Sequence, residues 1–436
     1  REGLKVRVHG SGHSVPASVH TGDFKAPPPG ERDINLLLDK MKAITFDDEA
    51  MQVTVEAGCH LGADPRHPDR YPRREDSLLH QLDQKGWALP ITGGIVRQAV
   101  GGFMSTGSAG GSLKHAFNRQ LVAIRLVDGR GEIREFVKSD DPDNDFYGAA
   151  LSMGLLGVIT SATIQCLPRF DIAGQESTTK YAECEIDLFG SDSGDKRPEL
   201  SQFFQGPDYV RCMWWPQNGI KKVVVWQARR LEATAEFKSR PYRDFPVILG
   251  STRAAQLFIG GFFRFVKSLS PPGPSGALGR FGNKLLKPFY LLVANGFLTN
   301  GVKGPQKFSD SWHGGIPMDN RVDFNLLPLE FSEMWFPLER ATEVTNRIAD
   351  FFAANDTTVT GSFAVEIYPA PADQVWMSPG YQQESVRFDL IWFEANKGNP
   401  ASDFCPQFWE LLKDMNFRQH WGKYVIPDPD YLRGLQ

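Results

Sequence analysis

The chain lacks the residue patterns that would commit it to several common classes. Its five cysteines (Cys59, Cys166, Cys184, Cys212 and Cys405) are scattered, odd in number and never spaced C-x-x-C. That argues against a disulfide framework or a cysteine metal site and leaves buried free thiols as the expectation. No stretch approaches the ~18 uninterrupted apolar residues of a membrane-crossing helix. Excess positive charge is missing too: 48 Lys and Arg against 52 Asp and Glu give a formal net charge of −4, without the polycationic character that nucleic acid demands. His115, His313 and His420 share no ligand spacing, so no metal site is read. Arg1–Lys5 has no signal-peptide character. It reads as the end of an amphipathic element, with a further N-terminal element expected ahead of Val6. A reducing compartment, cytoplasmic or at a membrane periphery, is the expectation.

What is present is a globular chain of 436 residues, 41% hydrophobic and 12% aromatic, long enough that two domains are the default. Up to Pro168 the segments are short. Lys5–His9, Gln52–Glu56, Leu121–Val127 and Val158–Gln165 alternate or are β-branched and read as strands. Leu121–Val127 turns at Asp128-Gly129-Arg130-Gly131 into Glu132–Val137, a hairpin signature. Asp76–Lys85 has helical spacing that stops at Gly86, and Phe146–Met153 reads as a short helix. After Pro168 longer amphipathic strands are expected at Tyr209–Trp215, Lys221–Arg229, Val322–Leu327, Val359–Tyr368 and Ser385–Trp392. Helices at Leu338–Ala354 and Cys405–Met415 separate them. The expected fold is α+β: residues 1–168, an antiparallel-sheet cap over 169–410, and a C-terminal return over 411–436.

Two segments stand out. Gly10-Ser11-Gly12-His13-Ser14 follows a strand, and Gly101–Gly111 repeats the Gly/Ser richness with Gly102, Ser105, Thr106, Gly107 and Ser108. Glycines let backbone approach a phosphate closely, while hydroxyls and bare N–H groups donate to it. Either loop alone is an ordinary turn signal; two loops, one with histidine between glycine and serine, are not. With Ile34–Leu38, Met51–Gly58, Leu155–Thr160 and His420-Trp421-Gly422-Lys423 in order, they resemble the vanillyl-alcohol-oxidase type of FAD enzymes, and within it the sugar-lactone and alditol oxidases.

The resemblance implies a two-domain FAD-binding fold in which both glycine-rich segments line the cofactor. It also implies that Val158 to Thr163, beginning with Val158 and Ile159, run along the adenosine side. His13 would carry FAD covalently; no cysteine lies in Gly101–Gly111 to make a second tether. The implied reaction is oxidation of a CH–OH group of a sugar, sugar lactone or polyol by hydride transfer to flavin N5, with oxygen or a quinone as acceptor.

Three side chains are catalytic candidates. Glu366 and Tyr368 share one face of a strand; in the resembling alditol oxidases a glutamate there sits over the flavin, and an arginine usually stands where this chain has Tyr368. Lys423 is the matching cation, suited to stabilise a developing alkoxide. Arg387 and Asp389 share a strand face as well, and a mutual salt bridge is the expectation. Between Phe245 and Ser309 lie eight cations and no acid, interleaved with aromatics and leucines, which suits an anionic membrane surface or a lipidic substrate, or else a mobile cap packed on the sheet. Two alternatives stay open: a membrane-associated dehydrogenase of a lipid-linked or hydrophobic alcohol, and a non-catalytic flavin-binding protein.

Overall fold

The computed structural model describes residues 6–15, 18, 34–64, 74–190, 196–245, 247–248, 250–269, 288, 291–296, 298, 304–393 and 398–435. Strands β1 (Val6–His9) and β2 (Ile34–Leu37) form a parallel pair. The strands β3 (Ile44–Asp47), β4 (Gln52–Glu56), β6 (Leu121–Val127), β7 (Ile133–Val137) and β8 (Val158–Gln165) build a five-stranded antiparallel sheet in the order β3-β4-β8-β6-β7. The short β5 (Trp87–Ala88) and β9 (Leu167–Pro168) pair beside it. The helix Leu78–Lys85 buries Leu78, Leu79 and Leu82 and ends where expected. Gly86 takes φ 77°, and its N–H closes on Asp83 and Leu82 carbonyls, a conformation open to glycine at no steric cost.

The larger sheet is antiparallel throughout. It runs β13 (Gln306–Ser311), β10 (Phe170–Lys180), β12 (Lys222–Glu232), β11 (Tyr209–Trp215), β15 (Val365–Ala370), β16 (Ser385–Phe393), β14 (Leu329–Pro337), β17 (Arg418–Gln419). Period-two alternation divides its side chains cleanly. Val210, Cys212, Trp214, Val365, Ile367, Phe388 and Phe336 enter one core with Val344, Ile348 and Phe352 of helix Ala341–Ala354 and Phe408 and Leu412 of helix Cys405–Leu412. Burying each such side chain contributes about 1.5–3 kcal/mol. Their alternates face the other way, into the cavity described below. All five cysteines are buried and free.

Three expected elements differ. Residues 322–327 turn instead of extending, because Leu326 and Leu327 N–H both donate to the Asp323 carbonyl at 2.9 Å. The strand expected from Val359 starts at Val365; before it Thr357–Thr360 is helical, with Val359 and Thr360 N–H donating to Asp356 O. Part of the second glycine-rich segment is helix, Val100–Ser105. A Cβ on Gly101 would lie 2.8 Å from that of Ala57, so the glycine lets this turn pack against β4's end. The segments at 1–5, 27–30, 191–195 and 271–274 lie outside the described residues.

Candidate active site

One cavity of about 1360 Å³ joins the two halves of the chain. Ligand pockets usually hold roughly 300–1,000 Å³, so this one has room for a dinucleotide-sized group and a small substrate together. Gly10, Ser11, Gly12, His13 and Ser14 line it, as do Gly101, Gly102, Ser105, Thr106, Ser108, Val158 and Ile159. Gly107 does not; it takes φ 75° at the turn after the helix, against Pro379 and Leu151. Thr160 to Thr163 are sheet residues of β8 and also lie outside the lining.

The C-terminal return stitches the loops together. Val15 N–H donates to Gly422 O at 2.9 Å, and Trp421 N–H to Thr106 O at 3.2 Å. A Cβ on Gly422 would sit 2.9 Å from Ser14 Oγ and 3.3 Å from Thr106 Cβ, so only glycine fits between them. Gly422 N–H donates to His420 Nδ1 at 3.0 Å, which leaves Nε2, 3.2 Å from Ser108 Oγ, to carry the ring hydrogen. Burial lowers His420 to about 4, so the ring is neutral.

The loops fit a flavin dinucleotide. Gly102 and Gly12 line the cavity with nothing within 4 Å of a built Cβ, so a side chain at either position would fill space now open to a bound group. His13 Nε2 lies 3.7 Å from the buried Asp64 carboxylate. His60 lies nearby; burial lowers it to about 4, although Asp64 opposes the shift.

Opposite the loops stands the inner face of the large sheet. Cross-strand register places Glu333 (β14), Asp389 (β16), Glu366 (β15) and Met213 (β11) in one row. Trp335, Arg387 and Tyr368 follow in the next, with Arg211 one place before Cys212, the partner of Ile367. Residues in register share a face. Lys423, on the C-terminal return, reaches over the first row: its Nζ is 2.6 Å from Glu333 Oε2 and donates also to Asp389 Oδ2. Arg387 lies 3.2 Å from Glu333 and donates to the carbonyls of Ala109 and Gly110, at the end of the second glycine-rich segment. The expected Arg387–Asp389 bridge is therefore replaced by two others, because Lys423 takes the Asp389 oxygen and Glu333, on the neighbouring strand, takes Arg387. Glu333 carries no signal in the sequence, where an acid in Leu329–Pro337 has no distinguishing spacing.

Burial would raise Glu333, but Lys423 and Arg387 overcome it and hold the carboxyl well below its ordinary range. Burial, with a like charge in Glu333, pushes Asp389 up to about 7 although Lys423 binds it. Burial, then the neighbouring Asp319, holds Glu366 well above the ordinary range despite Arg211, so its carboxyl is neutral. Burial opposes the Lys423 charge, yet Asp389 and Glu333 keep it ionised. Tyr368 donates its hydroxyl to Asp319 Oδ2 at 2.8 Å and carries the Arg387 guanidinium 4.7 Å from its ring centre.

Known proteins share this arrangement of chain. L-gulonolactone oxidase of Bos taurus is 24% identical over 427 residues, 97% of this chain and 81% of the relative. D-arabinono-1,4-lactone oxidase of Saccharomyces cerevisiae is 31% identical over 328 residues, 72% of this chain and 53% of the relative. These sugar-lactone oxidases are homologues of the chain, the likeness running over nearly all of it, and its fold is that of an FAD-linked oxidase. The oxidase shares its fold with the crystal structure of cholesterol oxidase from B. sterolicum at TM-score 0.61 and 13% identity, over 96% of this chain and 79% of that one. No protein-family model matches the oxidase. Nothing among these relatives supports the lipid-linked-alcohol or non-catalytic readings.

Proposed function

We propose that the oxidase removes hydrogen from a CH–OH group of a polyhydroxylated sugar lactone, with Lys423, Asp389 and Glu366 around the reacting carbon. The observation that carries this is a half-buried lysine clamped between two buried carboxylates in the same cavity as both glycine-rich segments. When bound, FAD supplies the hydride acceptor. The chain's own residues handle the proton and the charge. Asp389 Oδ2 is taken by Lys423, while Oδ1 is buried and has no hydrogen-bond partner among the described residues. That oxygen is our candidate to accept the substrate hydroxyl proton, at a carboxyl poised near neutrality. Lys423 stabilises the alkoxide character that develops as the proton leaves. Glu333 stays ionised and orients Lys423, and neutral Glu366 offers a donor to a lactone oxygen. Tyr368, its hydroxyl committed to Asp319, holds the floor of the pocket and moves no proton.

His13, which lines the cavity between Gly12 and Ser14, is the residue to which we assign the covalent flavin bond. Oxygen is the acceptor we favour, since the relatives are named oxidases. Anaerobic addition of aldono-1,4-lactones, alditols and sterols to the yellow protein tests the substrate class. Lactones should bleach the flavin absorbance, and readmitted air should restore it with hydrogen peroxide formed. A protein that no lactone bleaches does not have this function.

A membrane contact through residues 245–309 is a further part of this reading. Helix Thr252–Leu269 is strongly amphipathic and exposes Leu257 and Phe265 near Arg253 and Arg264, while Leu292 lies exposed in the same acid-free stretch. Ile259, Val293 and Ala294 turn inward and line the cavity. Among the described residues no helix is long and apolar enough to cross a membrane, so the contact we propose is peripheral. Residues 270–287 lie outside the described residues.

A further inference from the structure

The cavity holds a second polar cluster that the chemistry above does not use. Beyond Tyr368 the inner row of the sheet continues through Arg211 and Trp226 to Glu176 on β10. Asp244 closes the cluster from the loop after β12. Arg211 donates to Asp319 and lies 3.5 Å from Glu176, which leaves its Nε buried without an acceptor among the described residues. Both carboxyl oxygens of Asp244 are likewise buried and without a hydrogen-bond donor among those residues. The adjacent Tyr242 hydroxyl lies close enough to Asp244 to favour its ionised form, but its one proton goes to the Met318 carbonyl at 2.8 Å.

An unmade hydrogen bond at a buried polar atom costs about 1–3 kcal/mol. Here an orphaned donor and two orphaned acceptors line one wall. A hydroxyl group can answer both, since it donates one hydrogen bond and accepts others; a carboxylate or phosphate ligand would meet Asp244 and Glu176, whenever they are ionised, with like charge. Burial also raises Asp244 to about 7 and Glu176 to about 8, with Arg211 and Arg321 opposing both shifts, so near neutral pH each spends time as a neutral carboxyl able to give a hydrogen bond as well as take one.

We infer that Asp244 and Arg211, supported by Glu176, form a specificity subsite for the hydroxylated side chain of the lactone, at the end away from the carbon that is oxidised. The inference rests on the lactone reading above and adds which part of the substrate is recognised. Position agrees with it. β11, which carries Arg211, lies two strands from β16, which carries Asp389; at 4.7–4.9 Å per strand that is roughly 10 Å, and side chains reaching inward from both ends shorten the gap to the scale of a ring with a short polar tail.

The test compares an aldono-1,4-lactone bearing a hydroxylated side chain with its analogue deoxygenated in that side chain. A site built around a substrate hydroxyl rejects the analogue that lacks it, so wild-type kcat/KM should favour the hydroxylated lactone by about a hundredfold or more. In Asp244→Val that ratio should collapse at least tenfold, chiefly through KM for the hydroxylated lactone. Asp244→Asn, which keeps shape and hydrogen-bonding capacity, should recover most of it. Equal losses on both lactones in Asp244→Val would mark a structural role and overturn the inference. So would a wild-type enzyme that oxidises both lactones equally, a result that needs no variant to fold. A wild-type enzyme that oxidises neither lactone defeats the broader reading instead, which keeps the two failures apart.

Discussion

Replacing Lys423 with methionine is the perturbation that reads the candidate site most directly. The change keeps most of the aliphatic stem and removes a cation that sits 2.6 Å from Glu333 and also binds Asp389. Two unit charges about 4 Å apart at an effective dielectric of about 20 interact by roughly 4 kcal/mol. At 1.36 kcal/mol per pKa unit, losing that attraction would raise a carboxyl by up to about three units, less whatever water enters. Glu333 keeps Arg387 at 3.2 Å and stays ionised. Asp389 keeps no cation at hydrogen-bonding distance among the described residues, so it absorbs the change.

The sign follows from the base role assigned to Asp389. A carboxyl raised to about 7 is protonated below that pH and cannot accept a proton. Wild-type flavin reduction, followed anaerobically by stopped flow, should therefore rise with pH through about 7 and level above it. In Lys423→Met the midpoint should move up by one unit or more. The plateau should fall by about 10²–10³, the scale of losing one preorganised electrostatic partner in a buried site. A yellow, folded variant with an unmoved profile and a rate within threefold of wild type would refute the assignment of both residues.

Glu366 should tolerate Gln with less than about a tenfold loss, because its buried carboxyl is already neutral; Leu, which removes the donor, should cost about a hundredfold, and a Gln variant as slow as Leu would mean that Glu366 works as a carboxylate. His13→Ala should yield folded protein whose flavin appears in the supernatant after acid precipitation, whereas wild-type flavin should stay in the pellet; release from wild type removes the covalent bond. Co-sedimentation with vesicles should rise with anionic lipid content and weaken with salt, each exposed cation contributing about 1 kcal/mol near such a surface, and Phe265→Ser should reduce the salt-resistant remainder; no pelleting at low salt leaves the helix Thr252–Leu269 as a cap.

Much of the site was legible because it lies on elements with strong local signals. The glycine-rich segments announce themselves by composition, and alternation alone puts Glu366 and Tyr368 on the face opposite Val365 and Ile367, as the two rows of β15 now display. What stayed hidden depends on register between strands far apart in the chain. Glu333, Asp389 and Glu366 come from β14, β16 and β15, and nothing in any one segment says that three acids will stand side by side. That register also explains why Arg387 could not be assigned: its partner is set by the neighbouring strand and by the carbonyls of Ala109 and Gly110, 277 and more residues away in sequence. The same reasoning accounts for Asp244, which no strand pattern marks. It matters because Arg211, arriving from β11, brings a buried guanidinium into the neighbourhood of a loop carboxyl, and that juxtaposition exists only once the sheet has closed.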